Sequence, residues 1–122
     1  MGDSIKTFRD LKIWQKGMEL CKLIYSLTKE FPDDEKFGLI SQMRRGSVSI
    51  PSNIAEGYGR RSTQDYIRFL QITMGSIYEL QTQLELSYEF NYLGENGYHK
   101  ANDLLLEIER MLSSLIQKIR NN

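Results

Sequence analysis

The sequence has almost no cysteine. Cys21 is the single one in 122 residues, so no disulfide can form within the chain, and a reducing compartment is the simplest setting. Proline is also scarce, at two residues, which suits long helices. No apolar run approaches the roughly 20 residues of a transmembrane helix, and no signal-like apolar segment follows Met1. We therefore expect a cytoplasmic protein without a membrane partner.

An excess of charge of either sign is missing as well. The chain carries 16 basic and 16 acidic residues, for a formal net charge of zero. This balance argues against a protein that binds a polyanion over its whole surface, and it leaves room only for a local basic patch. Hydrophobic residues make up 40% and charged residues 26%, which is typical of a globular domain. We expect a flexible tail over residues 1–7 and a single domain over residues 8–122.

Four segments have the apolar spacing of amphipathic helices, and no segment alternates as a strand does. The predicted helices run from about Asp10 to Glu30, from Asp33 or Asp34 to Tyr58, from Ser62 to Tyr92, and from Tyr98 to Arg120. Their predicted core stripes are Trp14, Met18, Cys21, Tyr25 and Thr28, widened by Ile24 and Leu27; Ile40, Met43, Ser47, Ile50 and Ile54; Tyr66, Leu70, Thr73, Ile77, Leu80, Leu84 and Ser87; and Ala101, Leu105, Ile108, Leu112, Leu115 and Ile119. The short connections predict an all-α, up-and-down antiparallel four-helix bundle.

Pro51 lies inside the second predicted helix. Its ring removes the hydrogen bond to the Ser47 carbonyl, so we expect a kink near Pro51 or a division of the helix. Gly57 and Gly59 provide a helix stop, and the segment from Ser62 to Asp65 resembles a capping box that starts the third helix.

The second helix also carries a polar stripe that differs from the other polar faces of the chain. It contains almost no Lys, and its members follow helical spacing: Gln42, Arg45, Ser49, Asn53, Glu56 and, beyond them, Arg60. Three interpretations stay open, namely a solvated face, a polar seam within the bundle or between subunits, and a surface for a ligand or RNA. Arg45 and Glu56 are too far apart to pair, so the seam interpretation expects each to have a partner on another helix or subunit.

Four arginines form the candidate site for RNA or another anion: Arg44, Arg45, Arg60 and Arg61. The last two lie in the turn over residues 57–63, next to the predicted start of a helix, where an anion can bind. A plain connection between two capped helices is the simpler explanation of the same turn, and we favour it. The turn has the spacing of neither a P-loop nor a dinucleotide fingerprint.

Nothing in the sequence points to catalysis, a metal or a cofactor. His99, Asp103 and Glu107 share a helix face, but the chain lacks the paired Glu-x-x-His motifs of di-iron bundles. Ser49 has no histidine for a triad, no Ser-x-x-Lys motif occurs, and Cys21 fits a small core residue. We therefore predict a protein that is not an enzyme and has no cofactor.

The segment Ser41-Gln-Met-Arg-Arg, followed by Ser49-Ile-Pro-Ser-Asn-Ile-Ala-Glu-Gly57 and Gly59-Arg60, resembles the signature of the bacterial proteins encoded in 23S rRNA intervening sequences. The opening Phe8-Arg-Asp-Leu-Lys-Ile-Trp14-Gln is similar to the same family. The resemblance implies a four-helix bundle. Through the related accessory proteins of diversity-generating retroelements, it also implies assembly into a pentameric ring and a role linked to RNA. It brings no catalytic residues.

Two functions follow as hypotheses. The first is a homo-oligomeric, non-enzymatic protein associated with rRNA or a ribonucleoprotein, with the four arginines as its basic determinants. The second is a protein-interaction scaffold without nucleic-acid contact, in which the stripe of Gln42, Arg45, Ser49, Asn53 and Glu56 is the subunit seam.

Overall fold

A computed structural model describes residues 4–122, and within that range the chain forms four long helices and no strand. The helices are α1 (Lys12–Thr28), α2 (Leu39–Tyr58), α3 (Thr63–Glu89) and α4 (Glu95–Arg120). Short 3-10 helices at Phe8–Asp10 and Asp33–Glu35 precede α1 and α2. Each long helix packs against the next along the chain, and α1 also packs against α4. This arrangement confirms the predicted four-helix bundle.

The helix ends differ from the prediction in three places. Asp33 and Asp34 do not cap α2, because the chain first makes a 3-10 turn and α2 begins only at Leu39. The Leu39 N–H donates to Glu35 Oε1 at 3.1 Å. α3 ends at Glu89 rather than Tyr92, and α4 begins one turn earlier than Tyr98. The predicted start of α3 is confirmed, since Ser62 Oγ accepts the Asp65 N–H.

We predicted a flexible tail over residues 1–7, and the structure describes the last four of these residues. Its first three residues lie outside the described residues. Thr7 caps the first 3-10 helix, and the backbone N–H groups of Lys6 and Thr7 donate to Asp10 Oδ2. Among residues 4–122, no helix is both long enough and apolar enough to cross a bilayer.

The core stripes of α3 and α4 are confirmed almost throughout. Every predicted α3 position from Leu70 to Ser87 is buried, and only Tyr66 is half-buried. In α4 the predicted stripe holds to Leu112, and Ile116 then replaces Leu115 and Ile119 in the core. The change follows from geometry, because a strict heptad drifts by about 20° per repeat around a straight helix.

The predicted core stripe of α1 is wrong by about a quarter turn. The buried positions are Ile13, Gly17, Leu20, Ile24 and Thr28. Of the predicted stripe, Thr28 and the adjoining Ile24 are buried; Trp14, Cys21 and Leu27 are half-buried, whereas Met18 and Tyr25 are exposed. Two apolar stripes lie side by side on this helix, and the one that contains a glycine faces the core.

Gly17 lies where α1 meets α2. A Cβ placed on Gly17 would lie 3.4 Å from Ile50 Cγ2 and 3.4 Å from both Cβ and Cδ of Pro51, at the short limit of ordinary van der Waals contact. Pro51 is itself buried, and α2 continues through it as one helix, so the ring does not divide the helix. The kink near Pro51 stays a prediction.

Several buried core positions carry hydroxyl groups, and these hydroxyl groups form hydrogen bonds. Thr28, Thr73 and Ser87 are buried and donate to the carbonyls of Ile24, Phe69 and Gln83, four residues earlier. Because each hydroxyl finds a partner on its own helix, these residues can occupy an apolar stripe.

Gly57 lies where α2 packs tightly against α3, and it provides the first testable prediction. An added Cβ would lie 2.8 Å from Phe69 Cβ and 3.2 Å from Tyr66 Cδ1. Gly57→Ala should therefore lower the free energy of unfolding by about 1–3 kcal/mol, because the helices must separate to admit the methyl group. Urea denaturation measures the change.

Gly46 provides the matched control on the same helix. Its added Cβ would meet no atom within 4 Å, so Gly46→Ala should leave stability unchanged or raise it by up to about 1 kcal/mol. Equal stability of the Gly57→Ala protein and the natural protein would contradict the tight contact at Gly57.

Candidate nucleic-acid interface

The connection between α2 and α3 holds two of the candidate arginines in a short turn. Gly59 ends α2, the Arg60 N–H donates to the Gly57 carbonyl, and Ser62 caps α3. Both Arg60 and Arg61 are exposed. The turn thus presents two adjacent guanidinium groups at one end of the bundle.

Phe69 lies under two of the guanidinium groups at this end. The Cζ atoms of Arg60 and Arg68 are 4.7 and 5.1 Å from the centroid of its ring. Arg60 also forms an ion pair with Glu56 at 2.9 Å, so this part of the polar stripe is paired within one turn. Glu56 therefore needs no partner on another helix, contrary to the expectation of the seam interpretation.

The helix topology brings further cations to the same end, which we call the basic end and define as residues 4–12, 56–68 and 117–122. The N-terminus of α1, the C-terminus of α2, the N-terminus of α3 and the C-terminus of α4 meet there. Eight exposed basic residues and three acidic ones give the basic end a net charge of 8 − 3 = +5: Lys6, Arg9, Lys12, Arg60, Arg61, Arg68, Lys118 and Arg120 against Asp10, Glu56 and Asp65.

The other end of the bundle carries a negative net charge. We call it the acidic end and define it as residues 28–44 and 85–100. Four basic and seven acidic residues give it a net charge of 4 − 7 = −3: Lys29, Lys36, Arg44 and Lys100 against Glu30, Asp33, Asp34, Glu35, Glu85, Glu89 and Glu95. A chain with no net charge therefore separates its charges along the bundle axis.

The other two candidate arginines lie far from the basic end. Arg44 and Arg45 are about 22 Å from Arg60 along α2, at about 1.5 Å per residue. Arg44 is half-buried and binds the last turn of α1, where its Nε donates to Thr28 Oγ1 at 2.9 Å and its guanidinium lies over the Tyr25 ring. A cation at this position also offsets the negative end of the α1 dipole. Arg45 is exposed.

Part of the polar stripe on α2 faces α3. Gln83 Nε2 of α3 donates to Gln42 Oε1 at 3.2 Å, and Ser49 Oγ lies 2.8 Å from Ser76 Oγ. Asn53 Nδ2 donates to the Ser49 carbonyl within α2. The short polar groups of Gln42 and Ser49 thus form contacts between two helices of the same chain.

The N-terminus of α3 is already partly occupied. Ser62 Oγ accepts the Asp65 N–H, and the Asp65 carboxylate lies in the first turn, where it competes with an incoming anion. These contacts favour a plain helix connection at the backbone. The positive charge that the basic end presents near this helix start is therefore that of the arginine side chains.

The remaining titratable groups were compared with the requirements of a metal site. Within residues 4–122, no three His, Cys, Asp or Glu side chains are grouped so that they could hold a metal ion.

Carboxylates of Glu109, Glu35 and Glu85 raise the pKa values of Tyr78, Tyr92 and Tyr98, respectively. Burial is the main cause that raises the pKa of Tyr66, which lies within the basic end, and the nearby Tyr58 raises it further.

The different environments of Arg44 and Arg45 lead to a prediction. Arg44→Ala should lower the free energy of unfolding by about 1–2 kcal/mol, because the α1 C-terminus loses a charge-assisted hydrogen bond. Arg45→Ala should change it by less than about 0.5 kcal/mol. Urea denaturation of both variants tests this difference, and equal effects would show that Arg44 does not stabilise the end of α1.

The raised pKa of Tyr66 predicts a loss of stability in alkali. The neutral phenol is favoured in the folded state, so its contribution is complete below the unfolded pKa of about 10 and is lost as the pH rises through the folded pKa. Tyr66→Phe should therefore lose less stability than the natural protein between about pH 9 and pH 12. Unfolding free energies over this range measure the slopes. The difference between the two proteins should be constant below pH 9, and parallel curves above it would contradict the prediction.

Comparison with known proteins gives a family match and matches to solved structures, which agree with each other. The family described as 23S rRNA-intervening sequence protein matches residues 9–114. A solved crystal structure from Bacteroides thetaiotaomicron, described as a protein with unknown function from the S23 ribosomal protein family, is 27% identical, with a TM-score of 0.77. That match covers 85% of this chain and 97% of the other.

No curated protein matches the chain. Neither the matching family nor the similar structure is described by an enzymatic activity. Since the family match spans the bundle from the first 3-10 helix to the last turns of α4, the chain belongs to the 23S rRNA-intervening sequence protein family.

Proposed function

We propose that the protein is a non-enzymatic, homo-oligomeric protein of the cytoplasm that associates with RNA through the basic end of its bundle. The observation that carries the proposal is the collection of eight exposed basic side chains from three separate parts of the chain at one end. Binding to a polyanion depends on the local number of phosphate contacts, so a chain with zero net charge can still bind RNA there.

The charged groups suit phosphates better than bases. Arg61 forms no hydrogen bond or ion pair with any other residue in the range 4–122, and Arg60 and Arg68 lie over Phe69 with donors still facing solvent. Arginine presents a planar fork that matches phosphate oxygens. Phe69 is buried, so its ring is covered and does not offer a stacking platform. We therefore propose binding to the RNA backbone, as suits a structured rRNA or a ribonucleoprotein.

Self-assembly would multiply this surface. In a cyclic oligomer with parallel bundle axes, every copy presents its basic end on the same face of the ring. A pentamer, the assembly implied by the family resemblance, would collect five such ends and bind by avidity, since each further contact becomes intramolecular. Arg44 acts within the fold in this proposal, and Arg45 stays a candidate for a separate contact.

A protein-interaction scaffold without nucleic-acid contact is the second candidate. The observation that favours it is a set of exposed apolar side chains on the outer face of α1 and α2, including Met18, Tyr25 and Val48. The two candidates make opposite predictions for RNA.

Removing two charges from the basic end tests the proposal. Arg60→Ala/Arg61→Ala should weaken the binding of an oligouridine and should reduce the slope of log K against log salt by about 0.7 for each lost phosphate contact. Fluorescence anisotropy over a series of salt concentrations measures both quantities. Light scattering should give the same mass as for the natural protein, because neither arginine contributes to the proposed assembly.

The matched control removes two charges from the acidic end. Lys29→Ala/Lys36→Ala should leave the affinity and the slope close to those of the natural protein. Equal losses for the two double variants would show that only overall charge matters. The absence of oligouridine binding by the natural protein at low salt would reject the RNA proposal and favour the scaffold.

A further inference from the structure

A polar pocket lies between α3 and α4, directly beside the basic end. Its volume is about 450 Å³, and six residues line it: Gln71, Ser113, Ile116, Gln117, Arg120 and Asn121. The last three of these residues belong to the basic end itself. On α3, Gln71 lies one turn beyond Arg68, about 4.5 Å along the helix axis. The pocket therefore adjoins the cations of the proposed RNA surface.

The seam between α3 and α4 is bridged near the middle of the bundle and open at this end. Gln81 Nε2 of α3 donates to Glu109 Oε1 of α4 at 3.2 Å. Because the two helices are antiparallel, a residue ten positions earlier on α3 lies opposite residues about ten positions later on α4. At that level Gln71 lies across the pocket from Gln117 and Arg120, and no hydrogen bond joins the two sides.

The polar side chains of the pocket are available to a ligand. Gln71, Ser113, Gln117 and Asn121 are exposed, and none of their side chains forms a hydrogen bond with another residue of the described chain. Arg120 has no ion-pair partner within residues 4–122. Each carboxamide offers an acceptor and two donors side by side. A ligand with donors and acceptors along one edge can therefore pair with this pocket.

The floor of the pocket is apolar, and the charge on its wall is positive. Ile116 is only 8% exposed and belongs to the hydrophobic core, so it provides an apolar surface beneath the polar side chains. Of the six residues that line the pocket, Arg120 carries a charge and none has a carboxylate. This lining favours a ligand with an apolar face, a polar edge and an attached negative group.

A nucleotide combines these three properties. The faces of its base are apolar, and a carboxamide can pair with the edge of a base through two hydrogen bonds. The phosphate is negative, and Arg120 and the neighbouring Arg68 match its oxygens. Pockets for small ligands usually measure about 300–1,000 Å³, so this pocket has room for one nucleotide. In RNA the edge of a base is accessible where the strand is unpaired, and proteins that read RNA bind unpaired bases for this reason.

We propose that the α3–α4 pocket binds one unpaired nucleotide of an RNA strand whose phosphates lie along the basic end. Ile116 contacts the face of the base, the carboxamides of Gln71 and Gln117 pair with its edge, and Arg120 binds an adjoining phosphate. The inference rests on the proposed association with RNA and specifies the kind of RNA, namely a single strand, a loop or a bulge and not a continuous duplex.

The salt dependence of binding separates the pocket from the charged surface. Gln71→Ala/Gln117→Ala should weaken the binding of oligouridine by about tenfold, as is expected when hydrogen bonds to a base are lost. No charge is removed, so the slope of log K against log salt should equal that of the natural protein, whereas Arg60→Ala/Arg61→Ala reduces it. Fluorescence anisotropy measures both quantities. Both glutamines are exposed on helices, where alanine is favourable, so the stability of the fold should not fall.

The matched control removes two amide groups from α4 outside the basic end. Asn96→Ala/Asn102→Ala, in the first half of that helix, should leave both the affinity and the slope unchanged.

A second comparison removes the bases from the ligand. Its probe is an oligomer with the same number of phosphates as the oligouridine and with abasic riboses. The natural protein should bind oligouridine about tenfold more tightly than this oligomer. Gln71→Ala/Gln117→Ala should bind the two ligands equally.

The outcomes of these measurements are distinct. A loss of affinity at constant slope, together with the loss of the preference for bases, supports the inference. Equal binding of oligouridine by the natural protein and by Gln71→Ala/Gln117→Ala overturns the inference and leaves the proposed association with RNA standing. Uridine monophosphate bound as tightly as oligouridine also overturns it, because the pocket would then take a free nucleotide. A natural protein that does not bind oligouridine at low salt overturns both proposals.

Discussion

The packing of the Gly17 side of α1 against Ile50 and Pro51 of α2 is the constraint on which the rest of the bundle depends. Because no side chain separates the helices there, α1 can approach the buried proline ring of α2 directly. The approach fixes which side of α1 turns inward: Leu20 and Ile24, on the same stripe as Gly17, enter the core. The neighbouring stripe with Met18 is left outside, where it lines a surface groove together with Val48 and Ala55 of α2.

On its other side, α2 meets α3 through small and polar groups. Gly57 lies against Phe69 at one end, Ser49 meets Ser76 near the middle, and Gln42 meets Gln83 towards the other end. Short polar side chains lose little conformational entropy when they are ordered, so they suit a close seam between helices. One atom there, Gln83 Oε1, is buried without a hydrogen-bond partner within residues 4–122. Contacts with both neighbours make α2 the helix that sets the spacing of the bundle.

The sequence predicts the fold well wherever one apolar stripe is much stronger than its alternatives. In α3 the heptad from Leu70 to Ser87 has no rival, and it is buried as predicted. In α1 two stripes compete, and hydrophobicity alone selects the one with Trp14 and Met18. The packing instead depends on Gly17, whose importance is invisible until the partner helix is in place.

The candidate site is less predictable because it depends on topology. Neighbours in the sequence, such as Arg44 and Arg45, have different environments: the first binds the end of α1, and the second is exposed. Conversely, Arg9, Arg61 and Arg120 are far apart in the chain but lie at the same end of the bundle. Patterns along one helix cannot show either relation.

The difference in net charge between the two ends of the bundle can change while the fold stays the same. In an up-and-down bundle the helix macrodipoles point in alternating directions and largely cancel, so the backbone contributes little to a difference between the ends. The polarity of the bundle resides in exposed side chains such as Arg61 and Asp34, which form no part of the core. Substitutions at the surface can therefore strengthen, weaken or reverse the electrical axis of the bundle while its internal packing stays the same.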